Sequence, residues 1–333
     1  MAGPDPAVAQ IRSAVRPALV ASDQRVLVAC SGGADSLALA AAVAFEAPRA
    51  GVPAGAVTVD HGLQAGSAQR AEATATLLRN LGLDPVICVR VQVGRDGGPE
   101  AAARSARYAA LRTAAGEHGA RIALGHTLDD QAETVLLGLG RGSGPRSVAG
   151  MVTENPPFWR PLLGIRRATT RAACAALELP VWDDPWNDDP AYTRVRLRTE
   201  ALPLLEDVLG GGVAPALART AAQLREDLDL LDELARAELA GLQTDPGLPA
   251  DAVAVLPAPL RRRVLRNWLR GGGVPDLQAV HLGAVDALLS AWRGQGRVDL
   301  PGGAGVVRTS GRLVLSPRTT GEPLLQNHEE PHP

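Results

Sequence analysis

The sequence predicts an α/β protein: a parallel doubly wound sheet, followed by a mainly helical domain and a small β-containing C-terminal element. Three observations carry that expectation. Over the first 140 residues, short apolar runs rich in β-branched residues alternate with Ala/Leu-rich segments of ten or more residues, the mark of βαβ units. From 195 to 243, Leu217, Ala221, Leu224, Leu228, Leu231 and Ala235 recur at helical spacing with acids opposite. After 295, brief apolar runs are separated by Gly and Pro. The expected division is 1–210, then a helical domain over 211–295, a β element over 296–316 and a disordered tail over 317–333.

Taken in order, residues 7–21 read as an amphipathic lead-in helix. Arg25–Cys30 is a buried strand, and Leu37–Ala44 begins a helix with no breaker before Pro48. Ala56–Asp60 is a second strand, 66–82 a helix, 85–93 a third strand, 99–117 a helix, 121–125 a fourth strand and 128–139 a helix. Two Pro and four Asp within Trp182–Pro190 make a loop. Residues 246–259 are linker-like, 261–270 a basic helix and 276–292 a further helix. Strands are expected at 297–300, 305–308 and 312–315.

The most informative stretch is Ser31-Gly32-Gly33-Ala34-Asp35-Ser36, between the first strand and its helix. Two glycines let the backbone turn tightly and offer its N–H groups with no Cβ in the way. A helix N-terminus beyond them favours phosphate, and Ser31 and Ser36 add hydroxyls. Asp35 repels a phosphate unless a cation intervenes, which makes it a candidate Mg²⁺ ligand. The plainer reading is a strand-to-helix turn with Ser and Asp as caps. The chain has no lysine, so all 34 basic residues are arginine and any P-loop or Schiff-base lysine is excluded.

Two more strand ends are polar: Asp60-His61 and Gly125-His126-Thr127-Leu128-Asp129-Asp130. Ligands of such sheets sit at the carboxyl ends of strands. Asp129, Asp130 and Glu133 with His126 and Gln131 could hold Mg²⁺ or an ammonium group, or serve as helix caps. No second His/Cys cluster supports zinc. Glu100, Arg104 and Arg107/Tyr108 share a helix face, as a solvated ion pair or as an arginine aimed into a nucleotide site. Arg194, Arg196 and Arg198 alternate as phosphate contacts do. Arg261, Arg262, Arg263, Arg266 and Arg270 surround Trp268 without an acid, in an RNA-facing surface or a basic amphipathic helix.

A net charge of −2 gives no overall nucleic-acid signature, so any such contact must be local. Three separated cysteines, Cys30, Cys88 and Cys174, point to buried thiols in a reducing cytoplasm and against a Cys-ligated cluster. No signal segment and no long apolar run suggests export or a membrane.

In this order, Ser31–Ser36, Asp60-His61-Gly62-Leu63-Gln64, Glu100–Tyr108, Gly125–Thr134 and Arg141–Gly144 make the chain resemble the N-type ATP pyrophosphatases, the PP-loop superfamily. The likeness is strong over about 25–210, and within the superfamily it is to the branch that builds lysidine on tRNA. Trp186 and Val195 stand where that branch tends to carry Ser and Asn. The resemblance implies the PP-loop ATPase fold, also called adenine nucleotide alpha hydrolase-like, and Mg²⁺-dependent use of ATP. ATP would lie on Ser31, Gly32, Gly33, Ala34, Asp35 and Ser36, flanked by Asp60, His61 and His126. The expected reaction adenylates C2–O of the wobble cytidine in the CAU anticodon of tRNA(Ile). Free L-lysine then attacks through its ε-amine, releasing AMP. Asp35, Arg104 and Asp130 are the expected catalytic residues, Asp130 and Glu133 the lysine ligands, and Arg194, Arg196, Arg198 and Arg261–Arg263 the tRNA contacts. A homodimer without a membrane partner is expected. A tRNA thiolation enzyme of the same superfamily and a non-catalytic nucleotide-binding regulator are the alternatives. The first would need cysteines at the site; the second would bind ATP without releasing pyrophosphate.

Overall fold

A computed structural model describes residues 3–62, 66–94, 98–142, 144–242 and 244–316, without the side chains of residues 99, 100, 187 and 188. The expected tail, Leu63, Gln64, Ser143 and the side chain of Glu100 lie outside the described residues. The chain divides into two compact units, Met1–Leu224 and Arg225–Pro333.

The first unit opens with α1 (Pro6–Val20), whose Val8, Ile11, Val15 and Leu19 form a buried stripe at spacings of three and four. Then come β1 (Val26–Ala29), α2 (Ala34–Glu46), β2 (Ala54–Asp60), α3 (Ser67–Asn80), β3 (Val86–Arg90), α4 (Pro99–Glu117), β4 (Arg121–Leu124) and α5 (Leu128–Arg141). A single turn, α6 (Pro145–Val148), precedes a short hairpin, β5 (Glu154–Asn155) and β6 (Phe158–Trp159), and then α7 (Arg167–Ala176). The hairpin and α7 are absent from the sequence expectation. Thr170, Ala173 and Cys174 nevertheless make a legible i, i+3, i+4 buried face on α7.

The sheet order is β3-β2-β1-β4-β6-β5, with β5 antiparallel to β6 and every other pair parallel. In register, Val28 lies between Ala56 and Ala123. β1 is buried over Val26–Val28 because helices cover both faces, which is why it reads as a continuous apolar run. Chain order reverses between β1 and β4, so the crevice at their carboxyl ends is the topological switch point where such sheets bind ligands. Gly125, just past β4, stands against α2. A Cβ there would lie 3.0 Å from the Asp35 carbonyl and the Ser36 nitrogen. α2 is alanine-rich and buried nearly all round, as a helix between α1, α7 and the sheet must be.

Beyond α7, the 182–190 loop contains one 3₁₀ turn, Pro185–Asp188. α8 (Thr193–Arg196) then continues through a π-helical turn, Leu197–Ala201, into α9 (Leu202–Val208). The alternating arginines therefore lie on a helix, where alternation does not put them on one face. The long α10 (Val213–Gly241) follows.

In the second unit, β7 (Leu248–Pro249) and α11 (Ala250–Ala254) occupy the stretch expected as linker. α12 (Ala258–Gly271), α13 (Ala279–Ser290), β8 (Val298–Asp299), β9 (Gly305–Thr309) and β10 (Arg312–Ser316) complete it. The strands make an antiparallel sheet in the order β7-β10-β9-β8. The linker reading failed because β7 is two residues long and pairs with residues more than sixty positions away. Such pairing is invisible to local pattern.

The basic run of α12 is tied down by acids of its own unit. Arg261 pairs with buried Asp286 of α13 and donates to the Leu256 carbonyl, Arg262 reaches the same Asp286, and Arg263 pairs with Asp232. Val264, Leu265 and Leu269 are core. Removing one member of a buried pair strands the other's charge. Asp286→Ala should therefore destabilise the second unit by about 3 kcal/mol, visible as an earlier urea transition of the full chain.

Candidate active site

A cavity of about 700 Å³ opens at the switch point. It is lined from β1 and α2 by Ser31, Gly33, Ala34, Asp35 and Ser36, from β2 by Asp60 and His61, and from β4 and α5 by His126 and Asp130. Three polar segments spread over a hundred residues thus converge. Gly32 carries the turn instead of lining the cavity. Its φ is +87°, its carbonyl accepts the Trp182 N–H at 3.0 Å, and a Cβ there would sit 2.9 Å from Thr74 Oγ1. Ser36 Oγ donates to the Gly33 carbonyl at 2.9 Å and accepts the Ser31 N–H at 3.2 Å. No side chain caps the first turn of α2, so its backbone donors are left for a guest in the cavity.

Asp35 is held at the start of α2 by the Thr170 hydroxyl and by Arg167 Nε, 3.4 Å from Oδ2. Burial pushes its carboxyl above the usual range, against the pull of Thr170 and Arg167. It is the one carboxylate of the bend. Among the described residues no three His, Cys, Asp or Glu side chains converge as metal ligands. That donor set fits an ion such as Mg²⁺, which takes one or two carboxylates and completes its shell with phosphate oxygens and water. Asp60 is turned inward, accepting the Gly62 N–H at 2.9 Å; the Ser67 hydroxyl holds its carboxyl below the usual range. His61 and His126 each have a buried Nδ1 without a partner. Burial lowers the pKa of His61, and that of His126 to about 3, so both rings are neutral at pH 7.

The acidic string is partly the cap that the plain reading foresaw. Asp130 and Thr127 form a capping box at the start of α5, with Asp130 Oδ2 accepting both the Thr127 N–H and hydroxyl at 2.7 Å. Oδ1 is left facing Arg167 Nη2 at 2.6 Å. Burial opposes the charge on Asp130, yet Arg167 and Thr127 hold its pKa below the usual range. Asp129 caps α7, accepting the Arg167 N–H at 2.8 Å, and pairs with Arg166 at 3.1 Å. Glu133 is fully buried, with Arg198 Nε at 3.0 Å, Arg167 Nη1 at 3.4 Å and Arg194 at 3.7 Å. Arg196 points outward to Glu200.

On α4, Arg104 is exposed and folds onto Tyr108. Arg107, nearly one turn further on, lines the cavity. The ionisable groups that act most on it are Arg104, Tyr108 and Arg194, none a carboxylate, and burial depresses its pKa. An anion in the cavity would relieve that cost. In the sequence Arg107 stands out only as a face-mate of Arg104, Arg167 only as one of the scattered arginines of 160–198, and Thr170 not at all. The buried period of α7 was the signal available for the last two.

Residues 6–205 match the PP-loop domain family, and 248–314 match the TilS substrate binding domain. A tRNA(Ile)-lysidine synthase of Streptomyces coelicolor is 53% identical, aligned over 94% of this chain and 99% of that one. One of Thermobifida fusca is 55% identical over 95% and 99%. Among solved structures, the U34-tRNA thiolase NcsA from Methanococcus maripaludis with its [4Fe-4S] cluster superposes with a TM-score of 0.54. It is 19% identical and covers 66% of this chain and 80% of its own, a likeness of fold alone. No single helix among the described residues is long and apolar enough to cross a membrane.

His126 gives a pH test. Its folded pKa lies below the ordinary 6.5, so the unfolded chain binds the extra proton between those values and stability falls as pH drops through 6.5. One pH unit below that value the cost is about 1.4 kcal/mol. His126→Asn should flatten the decline in thermal midpoint between pH 6.5 and 5.5.

Proposed function

The chain belongs to the tRNA(Ile)-lysidine synthase family, and we propose on that footing that it joins L-lysine to C2 of the wobble cytidine in the CAU anticodon of tRNA(Ile). ATP is split to AMP and pyrophosphate. The observation that carries this reading is one cavity with an uncapped helix N-terminus on one side and Asp130 on the other. A triphosphate needs the first and an ammonium group the second.

In this reading the bend Ser31–Ser36 holds the phosphates, and Asp35 holds Mg²⁺, which when bound offsets charge on the phosphates. Arg107 takes the phosphate role that the family motif suggested for Arg104, because it is the arginine of α4 that lines the cavity. His61 and His126, neutral and half-buried, flank the nucleotide without adding charge. The cytidine C2 oxygen attacks the α-phosphorus and pyrophosphate leaves. The lysine ε-amine, steered by Asp130 and Glu133, then attacks C2 and displaces AMP. Positioning accounts for most of the acceleration, since the reactive groups belong to the substrates. Residues 1–210 carry this chemistry, and the helical domain over 211–295 adds tRNA contacts to those of Arg194, Arg196 and Arg198. Arg196 and Arg262, with side chains 62% and 58% exposed, suit tRNA phosphates better than Arg261 or Arg263. We place the reaction in the cytoplasm, in a homodimer; light scattering of the purified chain should give twice the chain mass.

Thiolation is the weaker reading. Cys30 borders the cavity, but burial raises its thiol pKa, the reverse of what a reactive sulfur needs. Cys88 and Cys174 lie on β3 and α7.

Purified protein with ATP, Mg²⁺ and labelled lysine should label unmodified tRNA(Ile) and spare methionine tRNA; ATP binding without ligation would favour the regulator. Arg107→Ala should lower kcat/KM by about 100-fold, and Arg104→Ala by much less. Glu133→Gln should raise the lysine KM about tenfold while leaving that for ATP unchanged.

A further inference from the structure

Every acid of the 129–133 string already holds an arginine. Asp129 is taken by Arg166, Asp130 by Arg167, and Glu133 by Arg198 and Arg167. An incoming ammonium group therefore meets carboxylates whose charge is matched. Glu133 is also walled off: it does not line the cavity, whereas Arg167 does. Glu133 Oε2 is buried without a hydrogen-bond donor, and the arginine facing it, Arg194, stands back at 3.7 Å.

Among the described residues, Arg167 alone pairs with carboxylates of both halves of the site. One guanidinium lies 2.6 Å from Asp130 and 3.4 Å from Glu133, while its Nε lies 3.4 Å from Asp35 on the phosphate bend. Its backbone is pinned by Asp129 and by the first turn of α7, with Thr170 of the same helix on Asp35. Any change of partner is thus confined to the side chain.

We infer that Arg167 is a positioning residue that stands in for the lysine ammonium and couples the two substrate sites, a reading that rests on the proposed function. Without nucleotide, its guanidinium fills the carboxylate site. Phosphates on the bend offer it equally strong charge-assisted partners a few ångströms away. Turning to them uncovers Asp130 and takes away one of the three arginines around Glu133, leaving Arg198 and Arg194. The lysine ammonium then replaces the departed charge, so Asp130 is not left unpaired. Lysine and nucleotide consequently bind with positive, reciprocal coupling, typically 5- to 150-fold for such linkage.

The test is calorimetric titration of L-lysine into the full chain, with and without Mg²⁺ and a non-hydrolysable ATP analogue. Wild type should bind lysine at least tenfold more tightly with the analogue. Arg167→Ala should bind lysine without the analogue about as tightly as the loaded wild type, with coupling reduced to about twofold or less. Arg167→Gln, which keeps amide donors near Asp130 and is gentler on folding, should give an intermediate coupling; both variants are checked by circular dichroism. Equal lysine affinity with and without analogue in wild type, binding in neither state, or undiminished coupling in a folded variant would overturn the inference. Lysine ligation by wild type in the same preparation separates this from the function itself: ligation without coupling removes only the role of Arg167. Absence of ligation removes the reading beneath it.

Discussion

A carboxylate on one helix capping another is the contact on which the site depends. Asp129, in the first turn of α5, accepts the backbone N–H of Arg167 at the first turn of α7. That bond fixes the start of α7 beside α5, and the same turn then sends the Arg167 side chain between Asp35 and Asp130. Thr170, one turn on, reaches Asp35 from the same helix. Through these contacts α2, α5 and α7 share one polar seam at the carboxyl ends of β1 and β4. A buried seam of this kind is stable only when each charge has a partner, and the arginines here supply those partners.

The opposite flank is built on different physics. At the bend, the polar groups are backbone donors of an uncapped helix, with Gly32 supplying the positive φ that the turn requires. Close packing of Gly125 against Asp35 and Ser36 leaves β4 and α2 little freedom to slide. The cavity therefore has a rigid, donor-rich floor and a wall whose carboxylates are held by flexible arginine side chains. The floor suits a group that must be oriented. The wall suits one that must be admitted and exchanged.

Charge bookkeeping separates the two kinds of arginine in this lysine-free chain. Arg261 and Arg263 are committed to acids of the second unit, where they brace α12. Arg107 lines the cavity with no carboxylate among the ionisable groups that act most on it. The first kind contributes to folding, while the second keeps an unspent charge where an anion can use it. A composition count near neutrality conceals that difference, because it is set by neighbours and not by number.

By itself the chain determined the βαβ order, the glycine bend and the polar strand ends, since each rests on neighbours in sequence: β-branched runs, paired glycines, acids at a helix start. Helix α4 was legible to its last residue for the same reason. Tertiary structure decided which arginine on that face of α4 reaches the cavity, Arg107 and not Arg104. It also recruited Arg167 and Thr170 from α7, more than 130 residues beyond Asp35, and turned a stretch read as linker into β7 and α11. Those outcomes depend on long-range pairing and burial, which no local pattern encodes: a guanidinium becomes a site residue only when folding sets three carboxylates around it.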